Sequence, residues 1–202
     1  MINEFKTITS ISEGIYKDKG SKFLAFAFPV NNETEINNYR SELKKKYYDA
    51  RHQVYAYYLG AENPTFRSSD DGEPTNSSGP PVLGQIRSFG LTNVLIVVVR
   101  YFGGTKLGVP GLINAYKTAA FEALSNAKII IKNIEVLISI EFEYLHMNSV
   151  MHLLKNSGIH LLTQTFEAVC IISLSVEKQK YDWLIENLTK IRTLKINIEM
   201  TP

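Results

Sequence analysis

The sequence predicts an α+β protein of two domains, 1–132 and 133–202. Three observations carry this. Strand-like stretches of aromatic and β-branched residues are interleaved with stretches of helical period along the whole chain. Near Asn133 the order changes to strand, helix, strand, strand, helix, strand, which is the ferredoxin-like βαββαβ order. The charge changes there too: residues 1–132 hold 16 Lys and Arg against 12 Asp and Glu, and residues 133–202 hold 6 against 8.

Each element has a local reason. Ser12 to Val30 reads as a hairpin turning at Lys17-Asp18-Lys19-Gly20, with the aromatic run from Phe23 as its second strand. Asn32 caps the next helix and Glu35 completes a capping box. Ile36, Leu43 and Tyr47 share one face of that helix, and Lys44, Lys45 and Lys46 point mostly away from it. Gln53 to Gly60 returns as a strand. Asn63 to Pro81 is rich in Ser, Asp, Asn, Gly and Pro and reads as one loop. Pro80 and Pro81 suit the first turn of a short helix bearing Val82, Ile86 and Phe89, which Gly90 stops. Val94 to Val99 is apolar at every position, as in a strand buried on both faces. A glycine-rich loop starts at Gly103, Pro110 opens a long helix to about Asn126, and Ile129 to Ile131 begins a strand. The second domain follows as strand 135–142, helix 145–157, strands 159–165 and 169–176, helix 179–191 and strand 194–198.

Composition excludes several function classes. The 202 residues are 45% hydrophobic and 21% charged, the makeup of a globular protein. A net charge of +2 rules out a whole-chain polycation, so nucleic-acid contact must come from a local patch. The single cysteine, Cys170, excludes an internal disulfide and a multi-cysteine zinc site; mid-strand, it is expected to be buried and unreactive. The start, Met-Ile-Asn-Glu-Phe-Lys, does not read as a secretory signal, and no apolar run approaches a bilayer span, so no membrane association and a cytoplasmic setting are expected.

Two segments could carry chemistry. In VLIVVVRYFGGTKLGVPG (94–111), a buried strand feeds a glycine loop and then a helix N-terminus. Glycines let a backbone approach a ligand, and the first helical N–H groups are unpaired. Arg100, Tyr101, Phe102, Gly103, Gly104, Lys106 and Gly108 are therefore the candidate anion- or nucleic-acid-binding set. The spacing fits neither a nucleotide P-loop nor a dinucleotide fingerprint, and the same glycines also serve tight turns and close packing. The polar loop is the second segment. Its Arg67, Ser68, Ser69, Asp70, Asp71, Gly72, Glu73 and Pro74 include three carboxylates with the chemistry to hold Mg²⁺, although such acids and serines commonly cap local turns. His52, entering a strand, is a candidate assisting base; an ordinary strand-edge histidine is the plainer reading. His146 and His152 are six apart on one helix and do not align on a metal; no resident metal or cofactor is expected. The third strand of the second domain, AVCIISLSV, has no aromatic for stacking bases, so that domain suits packing or docking of a protein partner.

Together these residues resemble one family, the IMPACT family in its bacterial YigZ-like two-domain form. The resemblance rests on SKFLAFAF at 21–28, ARHQVYAYYLG at 50–60, RSSDDGEPTNSSGPPVLGQI at 67–86 and VVVRYFGGTKLGVPGLINAY at 97–116. It implies a first domain similar to the second domain of a small-subunit ribosomal protein, a βαβ-containing fold with a left-handed crossover. It implies a second domain similar to the ferredoxin-like C-terminal domains of elongation factor G. Eukaryotic members of the family regulate translation, using an additional N-terminal domain to compete for a kinase activator, and that partner is not carried over here. The expectation is a non-enzymatic regulator that binds nucleic acid or the ribosome through the basic, glycine-rich loop of its first domain. The alternative is an enzyme acting on a phosphorylated small molecule, with Asp71 or Glu73 in the acidic loop 69–74 holding Mg²⁺ or acting as base and His52 assisting.

Overall fold

The computed structural model describes residues 2–157 and 159–199, so the outer ends of both expected domains, at residues 1 and 202, lie outside the described residues. Phe5–Lys132 form one unit. The chain from Asn133 onward, with the residues up to Glu4, forms the other.

Two short strands, β1 (Glu4–Ile8) and β7 (Ile129–Asn133), which belong to the first unit except for Glu4 and Asn133, pair with each other. The sequence reading had no strand at β1, since five residues give too little alternation to recognise. The main sheet contains β2 (Ser12–Asp18), β3 (Ser21–Pro29), β4 (His52–Leu59), β5 (Thr65–Ser69) and β6 (Val94–Tyr101), in the order β2-β3-β6-β4-β5, antiparallel throughout. Side chains along a strand point alternately to its two faces. Phe23, Ala25, Ala27, Val54, Ala56, Val94, Ile96 and Val98 therefore share one face, which packs on α2 (Gly79–Ser88) and α3 (Gly108–Ser125). Phe26, Phe28, Tyr55, Tyr57, Leu95, Val97 and Val99 share the other, which packs on α1 (Glu33–Lys46). The capping box forms: the Glu35 N–H donates to Asn32 Oδ1 at 2.9 Å, and Glu35 Oε2 accepts from the Asn31 N–H at 2.8 Å.

The α3 side of the sheet is lined with small residues. Ala115, Ala119, Ala120 and Ala123 bring α3 so close to β2 that a Cβ on Gly14 would lie 2.3 Å from the Ala123 nitrogen.

Three expectations change. The segment read as one loop, 63–81, contains β5, which pairs with β4 while Phe66 stacks on Tyr58 at 5.7 Å; the flanking turn residues masked it. Strand β6 runs to Tyr101, so Arg100 and Tyr101 are ladder residues paired with Phe23 and Lys22. Helix α3 begins at Gly108, two residues before Pro110.

This pairing determines where the functional segments meet. Strands β2, β5 and β6 end, and β3 and β4 begin, at the same end of the sheet. The β2–β3 turn, the α1–β4 connection, the loop before α2 and the loop before α3 are all gathered there.

In the second unit, β8 (Glu135–Glu143) leads through a 3-10 turn at Tyr144–His146 into α4 (Met147–Ser157). Then come β9 (His160–Phe166), β10 (Val169–Glu177), α5 (Lys178–Leu188) and β11 (Lys195–Glu199). The sheet order is β11-β8-β10-β9, all antiparallel, as the ferredoxin-like arrangement requires. Ile138, Ile140, Phe142, Cys170, Ile172, Leu174 and Val176 form the sheet side of its core, and the thiol of Cys170 is buried and free. No helix among the described residues is long and apolar enough to cross a membrane.

Candidate functional site

The polar loop before α2 is built around two carboxylates and a turn. Asp71 and Gly72 both have left-handed backbone, with φ of 44° and 84°. This is the Asp-Gly signature of a tight type I′ reversal, and the Glu73 N–H closes it on the Asp70 carbonyl at 3.0 Å. The Asp70 carboxylate accepts from Ser78 Oγ at 2.7 Å and from the N–H groups of Asn76 at 2.8 Å, Ser78 at 3.0 Å and Gly79 at 2.8 Å. It thus caps the start of α2. Burial alone would raise its pKa; the Ser78 hydroxyl and those backbone donors outweigh burial and hold it below the ordinary carboxylate range. Asp71 serves β4: its Oδ2 accepts from the Gln53 N–H at 2.7 Å, and its carbonyl lies 2.8 Å from His52 Nδ1. A carbonyl only accepts, so Nδ1 carries the proton and Nε2 is the basic nitrogen of neutral His52.

Glu73 turns inward. Its Oε1 accepts from Arg100 Nη1 at 2.6 Å and from the Tyr116 hydroxyl at 2.7 Å. Arg100 continues the row of Val94, Ile96 and Val98 and is only 7% exposed. Its neighbours across the sheet are Phe23 and His52. The guanidinium carbon lies 5.5 Å from the Phe23 ring centroid and 5.7 Å from that of Phe102, and its buried Nε has no protein partner. Burial, then the neighbouring Glu73 charge and hydrogen bond, push the Tyr116 hydroxyl pKa strongly upward, so Tyr116 is a fixed neutral donor.

Several sequence assignments are corrected by this geometry. Arg100 was expected on the glycine loop, free to meet an external anion; it is a wall residue whose charge Glu73 balances inside the protein. Asp70, Asp71 and Glu73 do not converge on an ion, because each carboxylate is already committed to protein donors. Among the described residues no group of three or more His, Cys, Asp or Glu is disposed to hold a metal, so the Mg²⁺ role of the acidic loop has no structural basis. Arg67, Ser68 and Ser69 are ladder residues of β5, opposite Tyr57, Ala56 and Tyr55. Tyr101 faces α1, and its hydroxyl donates to Asp49 at 2.8 Å. Pro74 offers its carbonyl to the Ser77 N–H at 3.0 Å.

The glycine loop differs in kind. Gly103 is pressed on the β2–β3 turn, where a Cβ would come within 1.8 Å of the Gly20 carbonyl carbon, and its N–H donates to Ser21 Oγ at 3.1 Å. Gly104 and Gly108 are left-handed, with φ of 87° and 71°, and a Cβ on Gly104 would meet nothing. Lys106 is exposed, and no side chain caps α3. Phe102, fixed beside the pinned Gly103, is 58% exposed.

Sequence reasoning missed the cations around this loop. Lys17, Lys19, Lys22, Lys44, Lys45, Lys46 and Arg51 are all exposed at the same end of the sheet. Lys46 lies over the Tyr47 ring, and the ion pairs among the described residues include none of the seven. Lys17 and Lys22 are directly opposite each other across β2 and β3. The signal was available: a two-residue hairpin turn at Lys19-Gly20 makes 17 and 22 partners. Tyr116 was missed as well, although a tyrosine on the alanine face of α3 must bury its hydroxyl and so needs a buried partner.

Residues 19–124 match the family described as the Impact N-terminal domain. IMPACT family member YvyE of Bacillus subtilis is 26% identical over 98% of this chain and 92% of that protein. An IMPACT family member of Thermus thermophilus is 45% identical over 53% of this chain and 56% of that protein. A crystal structure described as that of a hypothetical protein superposes with a TM-score of 0.77 at 22% identity, covering 97% of both chains, and shows a shared fold. The match runs from the β2–β3 turn through nearly all of α3 and so takes in most of the first unit, and on that match the chain belongs to the IMPACT family.

Proposed function

We propose that this chain is a non-enzymatic, translation-related regulator that binds nucleic acid or the ribosome through the cationic end of its first unit. The observation that carries the reading is the placement of Lys17 opposite Lys22, with Lys19 at the turn between them. Like charges directly opposite on neighbouring strands repel and destabilise the pair. A protein that keeps such a pair gains from a polyanion that neutralises it. Lys106 and the open backbone at Gly104 extend the same surface, and the buried Arg100–Glu73–Tyr116 cluster holds its floor rigid. The translation setting rests on the family resemblance, which implies a likeness of the first unit to a ribosomal-protein domain and of the second to elongation factor G. The second unit, without stacking aromatics on its third strand, is left to protein docking.

The test is retention of RNA, DNA and ribosomes as salt rises from about 50 to 200 mM. Binding should weaken linearly on a log–log plot, each phosphate contact adding about −0.7 to −0.9 to the slope. Lys22→Ala and Lys106→Ala should each flatten it by about one contact. Absence of salt-dependent retention on all three probes overturns the reading.

A further inference from the structure

We infer that the ligand of this cationic end is a single-stranded nucleic acid whose bases stack on Phe102 and Tyr48. This rests on the phosphate-binding reading above and goes beyond it, because cations alone do not distinguish strandedness.

Two exposed rings flank the end of the sheet. Tyr48 is 85% exposed, on the α1 side between Lys44–Lys46 and Arg51. Phe102 is on the other side, against the Arg100 guanidinium and on the same loop as Lys106, four residues before it. Tyr101 and Lys22, partners across β3 and β6, lie between them along the sheet end. A chain of phosphates following the cations from Lys44–Lys46 past Lys22 to Lys106 therefore begins and ends beside an open aromatic face.

That pairing of rings with cations favours unpaired bases. In a duplex the base faces are already stacked, and what reaches a protein surface is phosphate and groove edge. An apolar ring buried against phosphate gains nothing, whereas an unstacked base gives it a second ring to cover. Phe102 is also preorganised: Gly103 is locked against Gly20 and Ser21, so the backbone that carries the ring is already ordered before a ligand arrives.

The experiment compares a fluorescein-labelled 20-nucleotide oligouridylate with an RNA duplex of the same length, against wild-type protein, Phe102→Ala and Tyr48→Ala. The single strand should bind wild type more tightly than the duplex. Each substitution should weaken single-strand binding by about 5- to 150-fold while leaving the salt slope unchanged, because stacking displaces no counterions. Urea unfolding of both variants separates lost stacking from lost structure, since Phe102 also covers Arg100. Equal or tighter duplex binding, or an unchanged single-strand affinity in both variants, overturns this inference and leaves the phosphate-binding reading standing. Loss of ribosome retention in the variants with RNA affinity intact overturns it in favour of a protein surface. Failure of every polyanion to bind is the separate failure of the underlying reading.

Discussion

The loop before α2 and the loop before α3 are equally conspicuous in the sequence and opposite in structure. In the first, Asp70 accepts four hydrogen bonds, Asp71 holds β4, and Glu73 neutralises a buried arginine. Almost all of its chemistry points inward. The second makes few bonds of its own; Gly103 rests on a neighbouring turn, while Gly104, Lys106 and Phe102 face outward. Density of functional groups thus marks the scaffold here, and scarcity of internal partners marks the surface proposed to bind. The loop with three carboxylates ties strand β6 and helix α3, which flank the other loop, through Glu73 to Arg100 and Tyr116.

The most severe way to break this contrast is Glu73→Ala. It strips the partner from a buried guanidinium and orphans the Tyr116 hydroxyl, and should cost about 3–5 kcal/mol, read as a lowered urea midpoint. An unchanged midpoint would mean that the first loop is not structural, and the comparison would fail. Asp70→Asn is milder. The amide oxygen still accepts at the start of α2, so what is lost is the charge and the acceptor for the Asn76 N–H, which should cost about 0.5–2 kcal/mol near neutral pH. The native Asp70 pKa is depressed, so its stabilisation is complete above the unfolded pKa and disappears as pH falls through the lowered native one. The stability gap between wild type and Asp70→Asn should accordingly close in acid, and a gap constant down to pH of about 2 would assign the cap to something other than charge. The smallest effect has the opposite sign. Lys19 sits at φ 44°, where a side chain is strained, so Lys19→Gly should stabilise by about 1 kcal/mol while removing roughly one phosphate contact from the salt slope. A variant both more stable and weaker at binding would sharpen the division between scaffold and surface; one that binds as before would place the polyanion elsewhere.

Much of the fold was legible because its signals are local. The Asn32–Glu35 box, the prolines opening α2 and the apolar run of β6 each depend on a few adjacent residues. Strand β5 escaped because Phe66 finds its stacking partner Tyr58 only after β4 and β5 pair, while the flanking Asn, Pro, Ser and Asp look like loop. The candidate site was legible as segments but not as roles. Glu73 and Arg100 are 27 residues apart, and Glu73 and Tyr116 are 43 apart. Alternation along β6 nevertheless places Arg100 in the row of Val94, Ile96 and Val98, which is evidence for burial that the nearby glycines obscured. The lysine-lined end was hidden differently, since its cations come from three separate connections and no single stretch is markedly basic apart from Lys44–Lys46.

The seam between β2 and α3 constrains how this protein can change. Gly14 has no side chain to lose, and the helix opposite offers mostly methyl groups. Size at that contact is already at its floor, so substitution at Gly14 can only add atoms, and any added atom must push the helix and with it the glycine loop that leads into it. Drift elsewhere in the core can run in both directions of volume; along this line it has one direction, and that direction disturbs the surface at the far end of the helix.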